Sequence, residues 1–306
     1  MRFISEYLGG LKNLSRAEIS GLLDAYGGEI EEDSENYLIF STTNSEKIIS
    51  RSTFSKRIGK IIDDPENIEV GHNKRYALRE KKKKGRDSLI TEIARKIKGK
   101  VDLTNPDVTF FIYNIDSLII SEVLYERRLE MLIDPRYETR PLNHPSSISP
   151  LLARGMINIA GIKDGEKFID PFAGTGTFLI EGFRMGIRGD GIDRNWKMVE
   201  GGNLNLRHFN FPEAIKQGDF SDLSSIEDAS AIVTDPPYGR GAKIFSQSRN
   251  SLYSEFFSVL SGFKGNKVFC LPSEELFVLT QQYLDVELID KMRVHSSLTR
   301  YILKAR

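Results

Sequence analysis

Lys167-Phe168-Ile169-Asp170-Pro171-Phe172-Ala173-Gly174-Thr175-Gly176-Thr177, residues 167–177, is the stretch that decides the fold. Its apolar start reads as a short strand. Gly174 and Gly176 then let the backbone turn tightly and approach a ligand at the strand's carboxyl end, and a helix opens near Thr177. The spacing departs from a dinucleotide fingerprint, because Phe178 and Leu179 stand where the third glycine would close it. No Gly-Lys-Ser/Thr phosphate loop occurs in the chain. A nucleoside without a pyrophosphate is the expected ligand.

Outward from this run, strand patterns recur at residues 187–193, 214–218, 229–234 and 267–271, separated by helical stretches near 177–185, 196–209, 251–260 and 273–283. Such alternation predicts an α/β domain whose parallel sheet is covered on both faces. Residues 286–294 and 298–303, joined by His295-Ser296-Ser297, read as a final hairpin, so one edge strand is expected to run antiparallel.

Two further strand ends carry carboxylates. Asp193 closes the strand after the glycine loop, where a carboxylate can accept both hydroxyls of a ribose. Asp219 follows the next strand and can accept from an adenine amino group, with Phe220 and Ile192 as apolar flanks. A helix N-cap is the alternative for either aspartate. The apolar strand Ala231-Ile232-Val233-Thr234 runs into Asp235-Pro236-Pro237-Tyr238-Gly239. Two prolines remove two backbone donors, leaving the carbonyls of Asp235 and Pro236 as rigid acceptors beside a carboxylate. That arrangement reads an exocyclic amine, and Tyr238 offers a face on which an extruded base can stack.

The first half of the chain has another character. Residues 1–65 follow a β-α-β-α-β order suited to a ferredoxin-like sheet, with Ser15-Arg16-Ala17-Glu18 as a capping box opening the first helix. A second unit is expected over 66–134, with paired strands at 108–113 and 117–124, and the Pro-rich segment 135–148 reads as a linker. Lys plus Arg equal Asp plus Glu at 43 each, yet residues 51–100 hold 16 basic against 7 acidic side chains. The densest run, Lys74, Arg75, Arg79, Lys81, Lys82, Lys83, Lys84 and Arg86, is suited to neutralising nucleic-acid phosphates; a solvated loop is the alternative. Residues 240–250 are polar enough for a lid over the base or an ordinary loop.

With 40% hydrophobic and 28% charged residues the chain is no disordered polymer. No apolar window reaches the ~18 residues of a membrane span, and the start lacks the apolar core of a signal peptide, so a soluble cytoplasmic protein is expected. One cysteine and four scattered histidines predict neither disulfide nor metal site.

Asp170-Pro171-Phe172-Ala173-Gly174-Thr175-Gly176 together with Asp235-Pro236-Pro237-Tyr238 resembles the S-adenosylmethionine-dependent amino-methyltransferases. The resemblance implies a Rossmann-like methyltransferase sheet over 149–306 that binds S-adenosylmethionine through Asp170, Phe172, Ala173, Gly174, Thr175, Gly176, Thr177, Asp193, Asp219 and Phe220. It also implies that Asp235, Pro236, Pro237 and Tyr238 hold the target amine. Gly99-Lys100-Val101-Asp102-Leu103 followed by Asn105-Pro106-Asp107-Val108 resembles a THUMP domain, an RNA-binding module. The segments His144-Pro145-Ser146-Ser147-Ile148-Ser149-Pro150 and Val294-His295-Ser296-Ser297-Leu298-Thr299-Arg300 are similar to those of archaeal tRNA (guanine-10, N2) dimethyltransferases. The resemblance thus implies a tRNA guanine-N2 methyltransferase acting at position 10 without an obligate protein partner; a guanine-N2 methyltransferase of another tRNA position or of ribosomal RNA, and a non-catalytic RNA-binding module, are the alternatives.

Overall fold

The computed structural model describes residues 1–65, 68–85, 87–115, 117–225, 228–238, 249–295 and 298–306. The chain forms two compact units. One comprises Met1–Lys12, Gly27–Ser50 and Phe54–Arg127; the other comprises Asn13–Tyr26, Arg51–Thr53 and Arg128–Arg306. Among the described residues no helix is long and apolar enough to cross a membrane.

In chain order the first 132 residues hold β1 (Arg2–Tyr7), α1 (Lys12–Tyr26), β2 (Glu29–Asp33), β3 (Tyr37–Ser41), α2 (Ser45–Arg51), β4 (Ser55–Ile61) and β5 (Ile68–Glu69). They continue with β6 (Arg75–Lys82), α3 (Ile90–Lys96), β7 (Ile97–Lys98), β8 (Lys100–Val101), β9 (Val108–Asn114), β10 (Leu118–Glu126) and α4 (Leu129–Leu132). Eight of these strands form one sheet in the order β2-β3-β1-β4-β10-β9-β6-β8. The boundary expected after residue 65 crosses this sheet and needs correction. β10 pairs antiparallel with β4, Glu122 opposite Lys60, so residues 1–65 and 66–134 share one hydrogen-bonded layer. Without that pairing β4 would present an edge of unpaired backbone groups. Alternation along β9 buries both faces: Phe110 and Ile112 pack with Tyr76, Leu78 and Ile93, whereas Phe111 and Tyr113 pack with Ile4, Tyr37 and Ile39.

The second unit contains α5 (Pro150–Ile159), β11 (Lys167–Asp170), α6 (Thr177–Arg184), β12 (Arg188–Asp193), α7 (Trp196–His208), β13 (Ile215–Gln217), β14 (Ala231–Thr234), α8 (Arg249–Gly262), β15 (Asn266–Leu271), α9 (Glu274–Thr280), β16 (Val286–His295) and β17 (Leu298–Ala305). The sheet order is β13-β12-β11-β14-β15-β17-β16. β11 through β15 are mutually parallel, as the alternation predicts. The antiparallel strand is β17, and it lies one place in from the edge. The hairpin folds back so that β17 pairs with both β15 and β16. The apolar sequence of β17 explains the choice, since Ile302 and Leu303 are fully buried while β16 keeps polar residues at the rim.

Helix α1 belongs with this second unit. It begins at Lys12, so Ser15 lies inside its first turn, and Glu18 is no capping partner. Glu18 is fully buried and accepts from the amide of Thr53 at 2.9 and 3.0 Å and from Asn158 Nδ2 at 2.7 Å. Asn158 Oδ1 in turn accepts from Arg51 Nε at 3.0 Å. The close approach of α1 to α5 depends on Gly21, where a Cβ would stand 2.3 Å from the carbonyl oxygen of Asn158. Alanine in a helix interior ordinarily gains about 0.5–1 kcal/mol over glycine. Here the backbone clash reverses the sign, so Gly21→Ala is expected to destabilise the protein by roughly 1–2 kcal/mol in urea unfolding.

Candidate active site

Because β11, β12, β13 and β14 are parallel, their carboxyl ends gather on one edge of the sheet, where open α/β folds bind ligands. Asp170 ends β11 with 1% of its surface exposed. Its Oδ1 accepts from Thr234 Oγ1 at 2.6 Å and from the amide of Phe172 at 3.1 Å. Burial pushes its carboxyl up to about 7 against those two hydrogen bonds, with the charges of Asp193 and Asp235 adding repulsion.

The loop that follows turns through Gly174 at φ 49° and Gly176 at φ 78°, a region costly for other residues. The amide of Gly174 donates to Asp193 Oδ2 at 2.9 Å, and the amide of Asn195 donates to Asp193 Oδ1 at 2.8 Å. A carboxylate has about four acceptor sites, so Asp193 keeps capacity for two more donors. Burial raises its pKa despite these amides. Ala173, Thr175, Gly176 and Thr177 are buried, and the loop shows Phe172 and Gly174 part-exposed. Thr175 Oγ1 lies 3.0 Å from Ser147 Oγ, and its carbonyl accepts from Asn205 Nδ2 at 3.0 Å. Asn205 also bonds the backbone of Leu142 in both directions, at 2.8 Å each. Within residues 135–148, the expected linker, Ser147 thus bonds to the glycine loop directly and Leu142 through Asn205.

Asp219 and Phe220 are placed differently from each other. Asp219 Oδ2 lies 2.5 Å from Arg194 Nε as an ion pair without a hydrogen bond, and Oδ1 accepts from the amide of Ser221, so Oδ1 alone is hydrogen-bonded within the protein. Phe220 is 2% exposed and its ring packs against Phe172 and Phe256 at centroid distances of 5.5 and 5.7 Å. A ring so enclosed offers no face to an adenine, and its place is the core behind the site.

Asp235 follows β14, one residue beyond the Thr234 hydroxyl that binds Asp170. Its Oδ2 pairs with Arg300 Nη2 at 2.9 Å, and its Oδ1 accepts from the Tyr238 hydroxyl. Arg300 Nε donates to that hydroxyl at 2.9 Å. Burial raises the Asp235 carboxyl, and Arg300 and Tyr238 oppose the rise. Burial likewise pushes the Tyr238 hydroxyl far up, with Asp235 reinforcing it. The carbonyl of Pro237 accepts from Tyr253 Oη at 3.1 Å, and Pro236 is buried. Gly239 and Arg240, and with them most of the expected lid, lie outside the described residues.

The donor set fits S-adenosylmethionine. The charges of Asp193 and Asp235 bear on the Asp170 carboxyl, a repulsion a cationic sulfonium would relieve, and Asp193 retains acceptor capacity for a vicinal diol.

Residues 137–302 match the family described as "RMKL-like, methyltransferase domain". The chain belongs to this methyltransferase family. A tRNA (guanine(10)-N2)-dimethyltransferase of Methanothermobacter thermautotrophicus is 38% identical over 216 residues, 66% of this chain and 62% of that protein. One of Methanocaldococcus jannaschii is 31% identical over 256 residues, covering 76% of this chain and 71% of that protein. One of Pyrococcus abyssi is 27% identical over 332 residues, 99% of this chain and 100% of that protein.

The basic run of this methyltransferase spans β6 and the residues on either side of it, and several of its members bond within the protein. Lys81 pairs with the buried Glu6 at 3.0 Å, Arg75 pairs with Asp102 at 2.8 Å and Asp107 at 3.4 Å, and Arg79 donates to the carbonyl of Leu103. Lys74, Lys82, Lys83 and Lys84 are exposed; Arg86 lies outside the described residues.

Arg300, Thr234 and Asn205 are the site residues that spacing arguments passed over. Thr234 and Arg300 reach the site through the sheet order, and Asn205 reaches the glycine loop from α7.

The raised carboxyl of Asp170 has a thermodynamic signature. An aspartate that holds its proton more tightly when folded loses stability as pH climbs from the unfolded value near ~4 to about 7. Asp170→Asn keeps an oxygen for Thr234 and Phe172 without the buried charge. The wild type is expected to lose up to ~4 kcal/mol between pH 4 and pH 8 that the variant does not lose, read by urea unfolding at the two pH values.

Proposed function

We propose that this methyltransferase transfers methyl groups from S-adenosylmethionine to the exocyclic N2 of guanine in tRNA, at position 10, giving N2-methyl- and N2,N2-dimethylguanosine. The Thr234–Asp170 hydrogen bond supports the assignment most directly, because it ties the strand end of the cofactor loop to the strand end that delivers Asp235. Bound S-adenosylmethionine supplies an electrophilic methyl on a sulfonium. Asp193 holds the ribose, and the glycine loop from Phe172 to Thr177 encloses the rest of the nucleoside. Asp219, fixed by Arg194, stands beside the adenine.

Target guanine leaves its stack and lies on the half-buried ring of Tyr238. Asp235 and the carbonyl of Pro236 accept the two N–H bonds of N2. Accepting both helps the nitrogen lone pair leave conjugation and act as the nucleophile; as its bond to the methyl forms, the bond from methyl to sulfur breaks, the N2 proton is lost to water, and no covalent enzyme intermediate is needed. Positioning and charge supply most of the rate. The unit containing the eight-stranded sheet binds RNA in the manner of a THUMP module, and tRNA as substrate implies work in the cytoplasm.

Incubating the protein with unmodified tRNA transcript and methyl-labelled S-adenosylmethionine, followed by nucleoside mass spectrometry and position mapping, tests the assignment. Label at N2 of guanine 10 is expected. Label at another guanine would overturn the position, and label in adenine would overturn the base. Asp235→Ala is expected to lower turnover by roughly 100-fold or more with cofactor binding retained.

The exposed lysines give a separate test. Lys74→Ala, Lys83→Ala and Lys84→Ala together are expected to weaken tRNA binding and to flatten its salt dependence by about two to three phosphate contacts. Unchanged affinity and slope in filter binding would show these lysines to be solvated surface.

A further inference from the structure

Asp235 presents an apparent contradiction. It is the carboxylate expected to accept from the target amine, yet both of its oxygens are already engaged by the protein. The two partners differ in kind. Oδ2 pairs with Arg300, whose side chain is 8% exposed and extends from a strand in the middle of three hydrogen-bonded strands. Oδ1 accepts from Tyr238, three residues along its own loop.

The topology explains how an arginine near the end of the chain reaches this place. β17 runs against β15, with Tyr301 opposite Leu271. Its first residues therefore lie at the carboxyl ends of the parallel strands, beside the loop that leaves β14. Had β17 run parallel, Arg300 would sit at the opposite edge of the sheet.

Resting on the reading that Asp235 receives the amine, we propose that Arg300 is the positioning residue of the acceptor site. It pins Oδ2 and keeps the buried carboxylate ionised, while Oδ1 exchanges the Tyr238 hydroxyl for the N–H of the incoming base. In the free protein Tyr238 caps the acceptor. When the base arrives, the hydroxyl leaves Oδ1 and stays within reach of Arg300 Nε, so neither polar group loses all its partners.

The groups facing Asp235 are Arg300 from β17, Tyr238 from its own loop, Cys270 from β15 and Asp170 from β11. Cys270 is buried, and burial raises its thiol well above the ordinary range, so it stays neutral. Asp170 is a like charge when it is ionised. Among these groups Arg300 alone carries positive charge, and removing it strands an anion in a low-dielectric pocket. The carboxyl then keeps its proton to higher pH.

Two variants separate positioning from mere support of the fold. Arg300→Gln keeps a donor but no charge; Arg300→Lys keeps the charge without the fork. Both are followed as pH profiles of kcat for tRNA methylation, with S-adenosylmethionine binding measured by calorimetry. Arg300→Gln is expected to lower kcat and move its acid limb up by about one pH unit or more. Arg300→Lys is expected to return the limb toward the wild-type position, and cofactor affinity should stay within about twofold in both.

A lower kcat with an unmoved limb and no rescue by lysine would overturn the proposal, as would wild-type behaviour in the glutamine variant. A second readout requires no RNA: carboxyl carbon NMR of Asp235, assigned by its disappearance in Asp235→Asn. The Asp235 titration is expected to move upward in Arg300→Gln, and an unmoved titration would overturn the proposal. A wild-type protein that methylates no guanine N2 while this titration shifts would sink the substrate reading and leave the Arg300–Asp235 coupling standing.

Discussion

The hydrogen bond from Thr234 to the buried carboxyl of Asp170 is the constraint on which the site depends. β11 and β14 are adjacent parallel strands, so their carboxyl ends emerge side by side whatever their side chains. Side-by-side strands do not by themselves set the angle at which each loop departs. A carboxyl group with 1% exposure must find donors, and it finds one in the loop it begins and one at the end of the neighbouring strand. The glycine turn and the Asp-Pro-Pro-Tyr turn are thereby held to a common origin. The cost is a carboxyl whose charge is disfavoured near neutrality, a strain of the kind functional sites retain.

The same principle of satisfying buried polar groups organises the acceptor pocket. Asp235 leaves the strand next to that of Asp170 and its charge bears on that carboxyl, and two carboxylates in a water-poor place require compensation. Arg300 supplies it through a planar fork that touches both the carboxylate and the tyrosine hydroxyl. The C-terminal hairpin is therefore more than a cap on the sheet. Inserting β17 inside β16 buries its apolar residues and places Thr299 and Arg300 at the strand ends where the chemistry gathers.

Elsewhere the backbone imposes similar economies. The eight-stranded sheet unites stretches with separate local patterns because β4 needs a partner on each side and β10 provides one. In the other unit, the carboxylate of Glu18 is matched to the amide of Thr53 and the side chain of Asn158. Segments that read as a capping box and as a linker are better understood by which buried donors and acceptors they complete.

The sequence alone determined the class of the protein and the identity of its two motifs. Strand and helix periods are local, glycine and proline impose backbone shapes that few residues share, and so the 170–177 turn, the 235–238 turn and the parallel alternation were legible without coordinates. The order of strands within the sheets, the continuity of β4 with β10, and the attachment of α1 to the second unit were not. Each depends on pairings between residues far apart in the chain, whose energy comes from shared burial and hydrogen bonding and leaves no local period. For the same reason Asp193 and Asp235 were readable as strand-end carboxylates, whereas the burial of Phe220 and the reach of Arg300 into the acceptor pocket were decided only by the tertiary structure. A buried aromatic and an exposed one have the same neighbours in sequence, and an arginine 65 residues beyond Asp235 becomes its counter-ion only because β17 runs antiparallel.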